Sequence, residues 1–173
     1  MKNSDADEEF SRFVTAHAAG LRRTAYLLTG SVPAAEDLLQ DALVKVWLAW
    51  GRVEVSTATA YTRRTMAHLA TDRWRRRRYA TVPADHLETL PDSSAARRLD
   101  ASDDRLFIVR QLANLSPRER AIVVLRYYDD LAEADVAAAV GCSVGTVKST
   151  CSRALSRLRT RAEAARLTER SLS

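Results

Sequence analysis

The stretch that decides the fold of this chain runs from Val136 to Arg159 and reads VAAAVGCSVGTVKSTCSRALSRLR. Its first part ends at Gly141, a residue type that tolerates the left-handed backbone found just after a helix. Ser143 follows, and its hydroxyl can cap the free amides of the next helical turn. The stretch therefore predicts a helix, a short turn and a second helix.

The predicted second helix has an apolar face and a polar, basic face. Apolar residues recur at three- and four-residue steps from Val144 through Val147, Cys151 and Leu155 to Leu158, the spacing of a helix packed on a core. A helix that binds in the DNA major groove needs small side chains that allow close approach, positive charge, and side chains that end in hydrogen-bonding groups. The polar, basic face of the second helix supplies all three. The candidates for DNA contact are Thr146, Lys148, Ser149, Thr150, Ser152, Arg153 and Arg157. The alternative is a surface hairpin whose basic face is only solvated.

Composition narrows the class of protein. The chain has 173 residues, 46% of them hydrophobic and 28% charged, with few Gly and Pro residues, which favours an all-helical fold. Lys and Arg outnumber Asp and Glu by 27 to 22, a net charge of +5, so the distribution of charge matters more than its size. No apolar run approaches the roughly 20 residues that span a bilayer, and the acidic N-terminus lacks a signal-peptide core. These features predict a cytoplasmic protein without membrane insertion.

The residues that usually carry chemistry are missing from the sequence. Cys142 and Cys151 have no His cluster beside them, so neither a zinc site nor a disulfide scaffold is predicted, and Cys151 is expected in the core. There is no Gly-rich nucleotide loop, nucleophile elbow or pair of catalytic carboxylates. We therefore expect no cofactor, no metal and no enzymatic activity.

The N-terminal half predicts a helical bundle. Apolar residues at helical steps run through residues 8–29, Gly30 can end that helix, and Pro33 can begin the next. The second helix has an apolar stripe widened by Trp47. Its outer face is acidic and polar, and consists of Glu36, Asp37, Gln40 and Asp41; ordinary solvation is the alternative explanation for that face. Residues 51–60 are predicted to form a loop.

The third predicted helix, residues 60–79, ends in a run of arginines around a tryptophan. Its early part packs Met66 and Leu69 inward, while Arg64, His68 and Thr71 point away. So many cations repel one another unless an anion such as DNA phosphate neutralises them. Trp74 could stack on unpaired bases. The candidates for nucleic-acid contact are Arg64, His68, Arg73, Trp74, Arg75, Arg76, Arg77 and Arg78. The alternative is a solvated helix end with Trp74 in the core.

The remaining segments carry local signals. Residues 80–104 contain two prolines, several Ser and Asp residues and no sustained periodicity, which indicates a linker. The sequence from Ser116 to Glu119 has the pattern of a capping box with proline at the first helical position. Asp129 and Asp130 are predicted to cap the next helix. The tail from Arg159 to Ser173 is predicted to fray.

Taken together, these segments resemble the extracytoplasmic-function (group IV) RNA polymerase sigma factors, and most closely the actinobacterial sigma-E-like members. AEDLLQDALVKVW, residues 35–47, resembles the helix that grips the polymerase clamp. AYTRRTMAHLATDRWRRRR, residues 60–78, resembles the segment that reads and opens the −10 element, and residues 115–158 resemble region four, which reads the −35 element. The three matches keep the family's order. His68 stands where the family usually has Asn, and Asp135 where Glu is common.

The resemblance implies an all-α protein with two helical domains. Residues 1–80 would form sigma region two, residues 81–103 a linker, and residues 104–173 the helix–turn–helix of region four. The implied function is promoter-specific initiation of transcription, in the cytoplasm and at the nucleoid. Core RNA polymerase, through its clamp and flap, and promoter DNA are the implied partners, and an anti-sigma factor is a further candidate. The expected polymerase contacts are Asp37, Gln40 and Asp41.

Two other functions compete with this one. A stand-alone helix–turn–helix regulator would bind an operator as a dimer, but it would leave residues 1–80 without a role. An RNA-binding or nucleoid protein would explain the arginines but not the acidic face of the second helix. The linker acids, which the resemblance suggests follow the path of nascent RNA, are Asp85, Glu88, Asp92, Asp100, Asp103 and Asp104; a plain tether is the alternative.

Overall fold

The computed structural model describes the backbone of residues 2–79 and 103–171, and the side chains of residues 5–76 and 107–163. Within those ranges the chain is helical, which confirms the predicted all-α class. The seven α-helices of the described residues are α1 Lys2–Thr29, α2 Val32–Ala49, α3 Ala58–Tyr79, α4 Asp103–Ala113, α5 Pro117–Val123, α6 Glu133–Val140 and α7 Val144–Ser171. Two 3₁₀ turns, Trp50–Arg52 and Val55–Thr57, precede α3, and a π-helical turn, Val124–Tyr128, follows α5. The predicted linker, residues 81–103, lies almost entirely outside the described residues.

Helices α1, α2 and α3 form the N-terminal bundle around large apolar side chains. Leu21, Leu38, Val46 and Met66 are each at most 1% exposed. The turn between α1 and α2 matches its sequence signals, because Gly30 has a φ of +78° and the Ser31 hydroxyl accepts from the amide of Ala34 at 3.4 Å. Burial of this apolar stripe is the main stabilising term of the bundle.

The C-terminal half is organised by the start of α5. The Ser116 hydroxyl accepts from the Glu119 amide at 3.3 Å, and the Glu119 carboxylate accepts from the Ser116 amide at 3.0 Å. This reciprocal pair confirms the predicted capping box with Pro117 at the first turn. The next residue, Arg120, is buried, and its guanidinium donates to the carbonyl oxygens of Leu112 and Leu28. It thereby joins the end of α4 to the end of α1.

The turn between α6 and α7 also follows its sequence signals. Gly141 is left-handed, with φ 66° and ψ 54°, and the Ser143 hydroxyl accepts from the amide of Thr146 at 3.1 Å. Val136 and Val147 are both fully buried, so α6 and α7 pack closely across the turn. The predicted helix–turn–helix is confirmed.

Several predictions about local structure were wrong. Residues 51–60 are not all loop, because two helical turns occupy most of the segment and α3 begins at Ala58. The backbone beyond Arg159 is helical, since α7 continues to Ser171. Asp129 and Asp130 do not cap α6; its N-cap residue is Ala132, which makes no side-chain hydrogen bond. Asp129 instead turns toward the N-terminal half.

Some side chains also face the opposite way from the prediction. Thr71 is 9% exposed, and its hydroxyl donates to the Ala67 carbonyl oxygen. Trp47 is 37% exposed and Val144 is 39% exposed, so neither is a core residue. The apolar stripe of α7 is rotated and includes Thr150 and Ala154.

We expect two glycine substitutions near this turn to have opposite effects. Gly141→Ala should lower the free energy of unfolding by about 1–2 kcal/mol, because a side chain disfavours the left-handed backbone. Gly145→Ala should raise it by about 0.5–1 kcal/mol, because Gly145 is helical and the nearest atom to an added Cβ lies 3.8 Å away. Urea unfolding followed by circular dichroism measures both. Equal effects of the two changes would contradict the assigned turn.

Candidate nucleic-acid interface

The polar face of α7 is open to solvent. Lys148, Ser149, Ser152 and Arg153 are exposed, while the opposite side is buried. Arg153 lies along its own helix, with Nε donating to the Ser149 carbonyl oxygen at 3.3 Å. This face can approach a groove without first moving any other element.

Thr150 does not belong to the exposed face. It is 6% exposed and lies on the side of α7 that packs on the rest of the C-terminal half. The sequence placed it with the DNA contacts because it sits between exposed neighbours on a helical wheel. The buried stripe of α7 is rotated by one position from the predicted stripe, and this rotation places Thr150 on the buried side.

Arg157 is held by the capping box rather than projecting freely. Its guanidinium forms an ion pair with the Glu119 carboxylate, and one turn later Arg161 donates to the Asn114 side chain at 2.8 Å. Glu119 therefore caps α5 and fixes α7 at the same time. Burial pushes the pKa of Glu119 up, but hydrogen bonds from Ser116 and the charge of Arg157 outweigh it, and the net pKa is lowered.

The predicted −10 segment on α3 contains two small acid–base groups. Asp72 pairs with Arg75 at 2.7 Å and lies 3.2 Å from the His68 ring nitrogen Nε2. Arg73 forms an ion pair with Asp41 of α2. The structure thus brings a predicted DNA contact, Arg73, together with a predicted polymerase contact, Asp41.

The other candidates on α3 differ in exposure. Arg64 is 33% exposed in its side chain and donates to Asp135 of α6 at 2.5 Å. Trp74 is partly buried and Arg76 is exposed. The side chains of Arg77 and Arg78 lie outside the described residues.

A cleft of about 610 Å³ lies between α2, α3 and α6. Its cationic lining is Lys45, Arg52 and Arg64, with His68 and the Tyr61 ring beside them. Lys45, Arg52 and Tyr61 were not among the predicted contacts. Lys45 lies on the helix assigned to polymerase, Arg52 in the predicted loop, and Tyr61 at the start of the predicted −10 segment. Three cations and an aromatic ring are the side chains that bind the phosphates and bases of a single strand.

The outer face of α2 combines polar and apolar groups. Asp37 and Gln40 are exposed, as predicted. Beyond them lie Val44 at 54% exposure and Leu48 at 75%. A shallow groove beside this patch is lined by Phe10, Arg22, Glu36, Leu39, Gln40, Leu43, Val44 and Trp47. Exposed large apolar side chains next to acids are typical of a protein interface, and the sequence alone indicated only the acids.

The described residues contain no cluster of His, Cys, Asp and Glu that could hold a metal ion. Cys151 is buried, as predicted, and burial raises the pKa of its thiol. Among the described helices, none is long and apolar enough to cross a membrane.

Comparison with known proteins shows to which class of protein the chain belongs. The family model for sigma-70 region 2 matches residues 13–79, and the one for sigma-70 region 4 matches residues 108–158. The RNA polymerase sigma-E factor of Streptomyces avermitilis is 39% identical over 165 residues, 95% of this chain and 90% of the relative. The extracytoplasmic-function (ECF) sigma factor SigL of Mycobacterium tuberculosis is 36% identical over 149 residues, 83% of this chain and 82% of the relative.

A solved structure agrees with these sequence matches. The sigma factor RpoE of Bartonella quintana, in complex with the anti-sigma factor NepR, superposes with a TM-score of 0.68 and 25% identity, over 90% of this chain and 98% of that one. The chain belongs to the sigma-70 family of RNA polymerase sigma factors. Its relatives lie in the extracytoplasmic-function group, with actinobacterial sigma-E factors among them, as the sequence predicted. The stand-alone regulator is not favoured.

The double role of Glu119 predicts a pH-dependent stability. The pKa of Glu119 in the folded chain lies below its value in the unfolded chain. The ionised carboxylate therefore stabilises the fold fully at pH values above the unfolded pKa. That stabilisation is lost as the pH falls through the folded pKa. Glu119→Gln should therefore lower the free energy of unfolding at pH 7, and the deficit should shrink below pH 4.5, the ordinary Glu value. Urea titrations at both pH values measure this difference.

Glu163→Gln is the matched control, because Glu163 is exposed on the same helix as Arg157. It should show no pH-dependent deficit. A Glu119→Gln deficit that stays constant with pH would mean that the carboxylate charge contributes nothing.

Proposed function

We propose that the two halves of this sigma factor divide promoter recognition between them. Residues 1–80 act as region two on core polymerase and the −10 element, residues 104–173 act as region four on the −35 element, and residues 81–103 connect them. The family matches at 13–79 and 108–158 support this division. We assign no catalytic step to the chain, since nucleotide addition belongs to core polymerase, and we place its action in the cytoplasm at the nucleoid.

The observation that carries the −35 assignment is the open polar face of α7. Arg153 stands at its centre with Ser149 and Ser152 beside it, all exposed. An arginine there can reach the O6 and N7 acceptors of guanine, while short hydroxyls allow the helix backbone to come close. Lys148 lies at the flank, 3.6 Å from Glu133, where it suits a backbone phosphate.

The cationic cleft beside α3 supports the −10 assignment. Duplex and single strand both attract cations, so melting requires groups that prefer the open strand. Tyr61 and His68 offer rings at the cleft where unstacked bases could be held. The arginines from Arg73 to Arg78 continue along the helix and supply phosphate attraction, with Trp74 among them.

The outer face of α2 is the proposed polymerase surface. Asp37 and Gln40 are exposed, and Val44 and Leu48 extend the surface with apolar area. The acids would complement a basic helix of the clamp and speed association, while apolar burial would slow dissociation. Asp41 contributes less directly, because it already pairs with Arg73.

A protein that holds the sigma factor inactive is a further proposed partner. The Bartonella quintana relative was solved with such a protein, the anti-sigma factor NepR. The exposed patch on α2 is a suitable surface, since a partner bound there would exclude polymerase. Co-purification of the chain from its own host, followed by mass spectrometry, tests whether one exists.

Reconstituted transcription tests the proposed function directly. Purified chain added to core RNA polymerase should give transcripts that start at defined positions on genomic fragments. Core enzyme alone should give only non-specific or end-initiated transcripts. Absence of defined starts across the fragments would contradict a role in initiation.

Charge reversal on α2 should weaken polymerase binding. We expect Asp37→Lys to slow association with core enzyme about three- to tenfold, because rim charges act mainly on the association rate. Biolayer interferometry at low and high salt measures this, and the effect should shrink as salt screens it. Asp7→Lys is the control, because Asp7 is an exposed acid on α1. Equal slowing by both variants would show only a change in net charge.

Two substitutions on α7 should separate base recognition from phosphate attraction. Arg153→Ala should cost about 1–3 kcal/mol of binding and relax the preference at one base pair of the −35 element. Lys148→Ala should weaken all sequences alike and reduce the salt slope by about 0.9. Holoenzyme binding to a library of −35 variants, read by sequencing, measures both. An unchanged preference in Arg153→Ala would mean that α7 docks in another orientation.

A further inference from the structure

The three cations of α7 that are predicted to contact DNA differ in their surroundings. The ammonium group of Lys148 lies 3.6 Å from the carboxylate of Glu133, which is in the first turn of α6. The guanidinium of Arg157 forms an ion pair with the carboxylate of Glu119 on α5. Arg153 forms no ion pair with a described residue, and its Nε donates to a carbonyl oxygen of its own helix. The central cation therefore keeps its full charge, whereas each flanking cation already has an internal partner.

Both ion pairs lie at the surface, where a DNA backbone can reach them. The side chains of Lys148 and Glu133 are 65% and 35% exposed, and those of Arg157 and Glu119 are 50% and 28% exposed. Ion pairs this exposed are weak, because water screens the attraction between the two charges. A DNA phosphate can therefore take the place of either acid, at the cost of the internal pair.

The two acids are held in place independently of their cations. The Oε2 atom of Glu119 accepts from the Ser116 amide at 3.0 Å, while Oε1 accepts from Arg157. The carboxylate thus stays at the start of α5 when the arginine turns toward DNA. Glu133 lies in the first turn of α6, where the helix dipole favours a negative charge. Each acid therefore remains beside its cation and repels the phosphate that this cation attracts.

The start of α6 carries negative charge where a phosphate would otherwise be attracted. In helix–turn–helix proteins the first helix of the motif crosses the DNA backbone, and the free amides of a helix N-terminus attract phosphate. In this chain the first turn of α6 contains two acids, Glu133 and Asp135. Asp135 is paired with Arg64, so Glu133 is the acid of this turn that lies beside the DNA-contacting helix.

We propose that Glu133 and Glu119 are internal counter-charges that lower the affinity of α7 for every DNA duplex, while Arg153 reads sequence at full charge. The pairing of the flanking cations is a property of the fold, whereas its consequence for DNA rests on the proposed −35 function. Non-specific attraction to a duplex comes from phosphate contacts, and base preference comes from contacts with base edges. The two acids reduce the first and leave the second unchanged. Their removal should therefore strengthen binding to all sequences by the same factor.

Three variants of the full-length chain test the counter-charge at Glu133. Glu133→Gln removes the charge and keeps the shape, and it should bind a labelled mixed-sequence duplex about two- to fivefold more tightly at low salt, a small factor because the pair is exposed. The gain should shrink as salt screens it. Glu133→Asp keeps the charge and should bind like wild type. Glu163→Gln is the control, because it removes the same charge from an exposed position farther along α7. Fluorescence anisotropy at low and high salt measures all three.

Double-mutant cycles show whether each acid acts through its own cation. In a Lys148→Ala background, Glu133→Gln should give no gain beyond that of the control. Glu119→Gln should likewise strengthen binding in the wild-type background and not in Arg157→Ala, with circular dichroism at the assay temperature to show that the variant with the altered cap is folded. An equal gain from Glu133→Gln with and without Lys148 would mean that the acid repels DNA directly, and the proposal fails. Unchanged or weaker binding by Glu133→Gln would overturn it as well.

Binding of holoenzyme to a library of −35 variants separates this inference from the proposed function. Holoenzyme that carries Glu133→Gln should bind every variant more tightly and keep the wild-type preference at each base pair. A changed preference would contradict the inference, because Glu133 would then take part in base recognition. A wild-type preference in Arg153→Ala would instead contradict the proposed docking of α7. In that case a gain from Glu133→Gln that disappears in Lys148→Ala would still support the counter-charge.

Discussion

The arrangement of the whole molecule depends on the buried carboxylate of Asp129. A charged group without exposed surface must be paired, because isolated burial of a charge is strongly unfavourable. Its partners, Thr24 and Arg63, lie on two different helices of the other half. These two contacts of Asp129 therefore link the C-terminal half to α1 and α3, and the guanidinium of Arg120 adds a second link at the end of α1.

The packing of the two halves determines which of their surfaces remain exposed to solvent. The polar face of α7 and the outer face of α2 point away from the interface and remain exposed, while the cleft beside α3 is walled by α6. The cations that line this cleft, Lys45 and Arg52, nevertheless remain exposed to solvent.

Local structure could be predicted from the sequence, and long-range placement could not. The capping box at Ser116 and the left-handed Gly141 follow from the chemistry of a few adjacent residues, and both are present. Asp129 was expected to cap the next helix, but its partner Thr24 is 105 positions away, beyond any local pattern. Helical periodicity likewise gave the approximate face of α7 but misjudged Thr150, since only the packed neighbours determine where a buried stripe ends.

Several cations of this chain are paired with its own acids. Arg63, Arg64, Arg73 and Arg157 each pair with a carboxylate from another segment of the chain. A phosphate that binds one of them must therefore replace an internal partner, and the released carboxylate regains water and counterions. DNA affinity then reflects the difference between two ion pairs rather than the strength of one. The modest net charge of +5 is consistent with such internal pairing.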